Sequence, residues 1–237
     1  MRRRTGRRAL IAVLLLALTA AGCRQAGPAP AAEPPRQAAP PLEPLQVVYL
    51  AKTPALLPYW VAREDGAFTR NGLSVELQQL PDADTAYTYL RNSAAQVYLT
   101  PLDATLIARA ANGVDLAVLG GQPDLAIVTL RPLLASREPI LERFLRGVLE
   151  GIHAVETQPE TGRALLAREG LPAPASGAAL EHVERVPYLS TDDLAPLIAA
   201  GADADPRAAA LDPNRLLDQS VLRRLEASGF VAALYRG

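Results

Sequence analysis

Reactive side chains are scarce in this chain. It holds one cysteine, Cys23, and two histidines, His153 and His182. Neither histidine stands at a metal-ligand spacing from another donor. No Gly-x-Ser-x-Gly elbow, phosphate loop or zinc motif occurs either. No catalytic residue, metal or cofactor is therefore assigned, and the chain is expected not to be an enzyme. The residues that could do chemistry suit non-covalent capture instead. Lys52-Thr53, Tyr59-Trp60, Asp82, Thr100 and Asp103 lie just after apolar, strand-like runs or at helix starts. Lys52, the only lysine, offers a full charge, Thr53 and Thr100 hydroxyls, and Tyr59 and Trp60 aromatic surface. Together they could hold a small anion or a flat organic solute. Each also has a plainer reading. Lys52 could be a solvated strand-end lysine, and Tyr59 and Trp60 could simply pack a helix on a sheet. Thr100 and Asp103 could be no more than a helix cap and a first-turn acid. His153 falls in a long amphipathic helix and reads as a surface or edge residue.

The elements that must position these residues alternate. Gln46–Ala51 is β-rich, Pro58–Phe68 suits a helix with Pro58 in its first turn, and Leu73–Leu77 alternates like a half-exposed strand. Asp82 or Asp84 can cap a helix to about Asn92, Gln96–Thr100 is a strand, and Asp103–Ala111 is a helix closed by Asn112-Gly113. Val114–Leu119 is a strand ended by Gly120-Gly121. The order predicts an α/β fold: a mostly parallel sheet flanked by helices, with right-handed crossovers. Another strand, Leu125–Leu130, follows a short turn. A long helix fits Glu138–Val155, where Ile140, Phe144, Val148 and Ile152 recur every four residues. Pro159–Arg168 fits a further helix, and the remainder is helical and loop-like, with a last helix near Gln219–Ser228. In open α/β sheets, ligands bind beyond the carboxyl ends of the strands, where helix N-termini expose unpaired N–H groups. Lys52-Thr53, Pro81-Asp82 and Thr100-Pro101 occupy those ends.

The first 45 residues read differently. Five arginines between Arg2 and Arg8 precede an apolar run to about Thr19, and Ala20-Ala21-Gly22 leads into Cys23. A charged start, a short apolar run and a small-residue site make a secretory signal peptide over residues 1–22. The run is too short for a membrane span, which needs about 20 apolar residues. The cysteine after small residues resembles the bacterial lipobox, whose cysteine receives diacylglycerol and becomes the mature N-terminus. Ala20 stands where that motif usually has leucine. Cys23 is thus the expected lipidation site, and the membrane is a partner through the lipid anchor. The location is expected to be the cell envelope, outside the cytoplasm. Residues 23–45 hold seven prolines among Ala, Gln and Gly and are read as an extended tether. Residues 46–237 are left as the folded part. Losing residues 1–22 removes five of the 24 basic residues and none of the 25 acidic ones, a balance of −6 that argues against nucleic acid.

Tyr59-Trp60-Val61-Ala62-Arg63-Glu64-Asp65-Gly66-Ala67-Phe68, followed by Asn71-Gly72-Leu73-Ser74-Val75-Glu76-Leu77, resembles the opening of a known family. These are the nitrate/sulfonate/taurine/thiamine-precursor solute-binding proteins of ABC importers, of periplasmic binding protein type 2. Thr100-Pro101-Leu102-Asp103-Ala104 and Ala110–Leu116 match its next stretch. Arg137-Glu138-Pro139 into Phe144–Gly147, and Leu222–Phe230, resemble its return helix and tail. The resemblance implies a small anionic or heterocyclic solute and an ABC permease, or another envelope protein, as partner. It also implies two lobes closing on the solute. Here Gly120-Gly121-Gln122-Pro123 passes almost directly into Asp124–Leu130, so a single lobe is expected, with most of the second one lacking. Gln96 stands where the family has an acid. A lone lobe offers a shallow face, so a second role is also open. That role is a non-transporting lipoprotein using its open lobe as a protein–protein surface.

Overall fold

A computed structural model describes residues 41–171 and 184–236. The expected signal peptide, Cys23, most of the tether and His182 lie outside these residues. The chain divides into Met1–Ala39 and Pro40–Gly237, and the fold is that of the second unit.

The sheet has five strands: β1 (Glu43–Tyr49), β2 (Leu73–Gln79), β3 (Val97–Thr100), β4 (Leu116–Gln122) and β5 (Leu125–Leu130), in the order β2-β1-β3-β5-β4. β1 pairs parallel with β2 and β3, while β5 runs antiparallel to both β3 and β4. Four strands therefore share one direction and β5 is reversed. The turn sets this arrangement. Only Pro123 and Asp124 separate β4 from β5, and a parallel crossover needs a dozen residues or more. The chain must fold back as a hairpin, and β5 takes the place beside β3.

Several boundaries differ from the sequence reading. β1 starts at Glu43, inside the expected tether. Odd residues of β1 donate toward β2, as Glu43 does to the Gly72 carbonyl, and even ones donate toward β3, as Gln46 does. The N–H that Pro44 lacks thus faces the β3 side, where pairing begins only at Val47. Gly120-Gly121 do not end β4. They carry it to Gln122 through a register shift between Val118 and Gly120, a bulge that glycine permits at φ 149° and 120°. The expected helix Pro58–Phe68 breaks at Gly66, in the left-handed region, into α1 (Leu57–Glu64) and α2 (Ala67–Arg70).

The other helices are α3 (Ala83–Arg91), α4 (Ala104–Ala111), α5 (Arg131–Thr157), α6 (Pro159–Arg168), α7 (Thr191–Ala204), α8 (Pro213–Leu216), α9 (Ser220–Ala227) and α10 (Phe230–Leu234). α5 starts seven residues before the expected Glu138. Arg137 interrupts it with φ −126° and ψ 19°, because the following Pro139 constrains the backbone before it. α7 falls in the stretch expected to be helical and loop-like, and α10 follows the helix expected to be the last.

The sheet separates two apolar cores. On one face α1, α2, α5, α6 and α9 bury Trp60, Phe68, Phe144, Ile152 and Leu225. On the other, α3, α4 and α7 bury Tyr87, Tyr98, Leu106, Ile107 and Leu194. Each large side chain so buried contributes about 1.5–3 kcal/mol. Phe144 stacks on Phe68 at 5.5 Å, fixing α5 on α2. α5 approaches α1 closely at Gly151 and α2 at Gly147, where a Cβ would meet the Phe68 ring at 2.5 Å.

Candidate functional site

Because β1, β2, β3 and β4 share a direction, their carboxyl ends open at one edge. The loops at Leu50–Thr53, Leu80–Asp82, Pro101–Asp103 and Pro123–Asp124 gather there. Hydrogen bonds knit them together: Leu80 N–H donates to the Tyr49 carbonyl at 2.8 Å and Leu102 N–H to that of Pro123 at 2.8 Å. The Gln79 side-chain amide donates to the Leu50 carbonyl at 2.8 Å. The 186–190 segment crosses the end of β4, where Gly121 N–H donates to the Pro187 carbonyl at 2.8 Å. A Cβ at Gly120 would stand 2.7 Å from that same carbonyl oxygen. Buried Gln219 anchors the crossing by accepting from Leu189 N–H at 2.9 Å and donating to its carbonyl at 2.7 Å.

The predicted residues divide into three groups at this edge. Asp82 and Asp103 are helix caps. Asp82 accepts from Thr85 N–H at 2.7 Å at the start of α3, and Asp103 from Leu106 N–H at 2.9 Å at the start of α4. Asp103 is thus the cap itself, not a first-turn acid, and of the two acids that could cap α3 it is Asp82 that does. The Thr85 hydrogen bonds hold the Asp82 carboxyl below the usual range. Each of these helix starts already carries a carboxylate, which occupies one first-turn N–H and repels a solute anion. Thr100 is buried at the end of β3 beside a tyrosine pair, Tyr87 and Tyr98, whose rings meet edge-on at 5.5 Å. Burial raises both phenols, and the nearby Asp103 carboxylate adds to this.

Tyr59 and Trp60 go to the opposite face of the sheet, 4% and 2% exposed. Tyr59 stacks on Phe144 at 6.4 Å. Burial raises its phenol strongly, helped by Asp124 in the β4–β5 turn. Their packing role is established; Trp60 offers no face to the strand-end edge.

Lys52 and Thr53 form the third group. The Lys52 ammonium lies 2.6 Å from a carboxylate oxygen of Glu169, just past the end of α6, with the side chains 43% and 17% exposed. That contact raises the ammonium above its ordinary value, while Arg63 opposes it. The Thr53 hydroxyl is buried without a hydrogen-bond partner among the described residues. The 3-10 turn Pro54–Leu56 and α1 both begin without a side-chain cap. A positive charge, an unsatisfied hydroxyl and an uncapped helix start thus adjoin at the β1–α1 loop. An oxyanion could use the charge and the hydroxyl; the helix start adds little, because Leu57 N–H already donates to the Pro54 carbonyl and Pro58 has no N–H.

Sequence reasoning missed Glu169, Asp124 and the Tyr87–Tyr98 pair. Glu169 is 117 residues from Lys52, and nothing local marks their meeting. Gln96, set where an acid was expected, has a structural part: its side chain accepts from Gln46 N–H at 2.9 Å and donates to the Ser93 carbonyl at 2.9 Å. No cluster of three or more metal-binding side chains occurs among the described residues. None of their helices is long and apolar enough to cross a membrane.

A cleft of about 530 Å³ opens at the other end of the sheet, beside Val114, Leu116 and Leu211. Its charged rim is already engaged. Asp115 faces Arg131 at 3.3 Å and Arg215 at 3.8 Å, and Asp212 caps α8 through Asn214 N–H. The chemistry at the β1–α1 loop is the better founded.

No protein-family model matches the chain, and no curated protein matches it by sequence. Solved structures do match its shape. The Candida albicans CA3427 gene product, described as having the generic periplasmic binding protein fold, superposes with a TM-score of 0.56 at 12% identity, covering 78% of this chain and 95% of that one. The periplasmic aliphatic sulphonate binding protein SsuA of Escherichia coli gives 0.57 at 12%, covering 76% and 99%. The alkanesulfonate-binding SsuA of Xanthomonas axonopodis pv. citri, bound to MOPS, gives 0.52 at 12%, covering 77% and 99%. With its five-stranded sheet between two helical layers, the chain has the periplasmic-binding-protein fold.

Proposed function

We propose that the protein is the extracytoplasmic, lipid-anchored solute-binding component of an ABC import system, tethered through Cys23, and that it captures a small oxyanionic or heterocyclic solute at the β1–α1 loop. The carrying observation is that Lys52 and the unsatisfied Thr53 hydroxyl are adjacent at the strand carboxyl ends. This edge is where open α/β sheets bind ligands. The likeness to two sulfonate-binding proteins supports the solute class. Binding without chemistry accords with the lack of any nucleophile–base pair in the site. Asp82, Asp103 and Asp124 around the edge disfavour highly charged anions and point to a singly charged group. The partners follow from this role: the solute, a permease and the membrane.

The test is calorimetry on the full chain, extracted in detergent, against alkanesulfonates, nitrate, bicarbonate and thiamine precursors. Saturable heat with one of them is expected. No heat at millimolar concentration contradicts the reading.

One observation favours a second reading. β4 enters β5 through a two-residue turn, so the described residues place no second sheet over the strand ends. The open edge could then dock another envelope protein. Sedimentation and pulldown from membranes separate the readings: a strictly monomeric chain that brings down no partner counts against the docking role.

A further inference from the structure

We infer that Glu169 is a built-in competitor for the solute, holding Lys52 in the empty state in the place a solute oxyanion would take. This rests on the proposed solute-binding role and adds a control to the same site. Lys52 stands on the β1–α1 loop, and its ammonium donates to Glu169 at 2.6 Å. The carboxylate comes from a remote element, the end of α6, whose first turn begins at Pro159. Glu169 is the less exposed partner, at 17% against 43%. Its backbone N–H closes the helix by donating to the Leu165 carbonyl at 2.9 Å, so its placement does not depend on the lysine. Lys52 is thus the more exposed half of the pair. Among the described residues neither side chain takes part in another ion pair, so the exchange frees one carboxylate and engages one ammonium. The adjacent Thr53 hydroxyl is still buried without a partner. The internal carboxylate thus satisfies the charge of the site but leaves its hydroxyl unmet. A solute oxyanion has the advantage over Glu169 where it displaces the packing over that hydroxyl and accepts from it as well.

Removing the competitor should strengthen capture of an anion and leave a neutral analogue unaffected. An exposed ion pair is worth little, so the gain is about two- to fivefold in affinity. The experiment titrates the full chain in detergent with ethanesulfonate and with ethanesulfonamide, its neutral counterpart. The variants are Glu169→Gln, Glu169→Ala and the double variant Lys52→Gln/Glu169→Gln, each checked by thermal melting. Tighter ethanesulfonate binding by both single variants, lost again in the double variant, supports the inference. Unchanged or weaker binding by the single variants, where the unaltered chain binds, overturns it and leaves the solute-binding role standing. Absence of binding in all of them overturns both.

Discussion

The close contact of α1 with α5 positions the β1–α1 loop, and Gly151→Ala tests it. Two effects of opposite sign compete. In a helix interior, alanine is favoured over glycine by about 1 kcal/mol. Against this, a Cβ at Gly151 would collide with the Pro58 carbonyl oxygen and stand 2.8 Å from the Ala62 Cβ. A backbone oxygen cannot swing aside as a side chain can, so α1 and α5 must part. Overpacking of this kind costs about 1–3 kcal/mol, and the rigid neighbour puts it in the upper half of that range. The net loss is about 1–2 kcal/mol, or roughly 2–8 °C in melting midpoint for a domain of this size. Calorimetric melting measures it. Because Pro58 follows the uncapped helix start, solute affinity should fall along with stability. A variant that melts at or above the unaltered protein would refute the packing argument, since helix propensity alone would then have decided the sign.

Other outcomes follow from the same contacts. Gly121→Ala should cost more than Gly151→Ala, about 2–4 kcal/mol, because φ is 120° and the Cβ would stand 2.5 Å from the Leu125 carbonyl oxygen; urea unfolding measures it. Asp103→Ala removes the cap on Leu106 N–H and should lower stability by about 1 kcal/mol, whereas Asp103→Asn, which still accepts, should lose a few tenths. Asp82 gives a pH signature. Its folded-state carboxyl titrates below the ordinary value because Thr85 holds the charged form. Its stabilisation is therefore complete above the unfolded aspartate pKa, near 3.9, and fades as pH falls through the lowered one. The stability gap between the unaltered protein and Asp82→Ala, followed by urea unfolding, should narrow below about pH 4. A gap constant from pH 7 to pH 2 would contradict the cap.

Local signals predicted the parts of the fold that local physics decides. Asp82 and Asp103 marked helix starts because only short polar side chains accept from the first-turn N–H groups. The four-residue recurrence of Ile140, Phe144, Val148 and Ile152 marked the buried stripe of α5. The short Pro123-Asp124 turn announced the return strand, although not its insertion between β3 and β4, which depends on partners distant in sequence. The glycine pair misled. Gly120-Gly121 look like a strand end, yet they stay in β4, where Leu222 and the Pro187 carbonyl crowd Gly120 and the β5 backbone crowds Gly121. The candidate site was half legible. Lys52 and Thr53 stood out as strand-end polar residues, but Glu169 could be found only in three dimensions. Tyr59 and Trp60 carried the strongest family-like signal and proved to be core, their aromatic bulk serving α1–α5 packing.

The central claim is that solute binds at the β1–α1 loop, and a crystal structure of the chain with ethanesulfonate tests it most directly. The account predicts the sulfonate within hydrogen-bond reach of the Lys52 ammonium and the Thr53 hydroxyl, with the ammonium drawn off Glu169. Sulfonate seated instead in the cleft beside Val114, Leu116 and Leu211, with the Lys52–Glu169 pair intact, would contradict it.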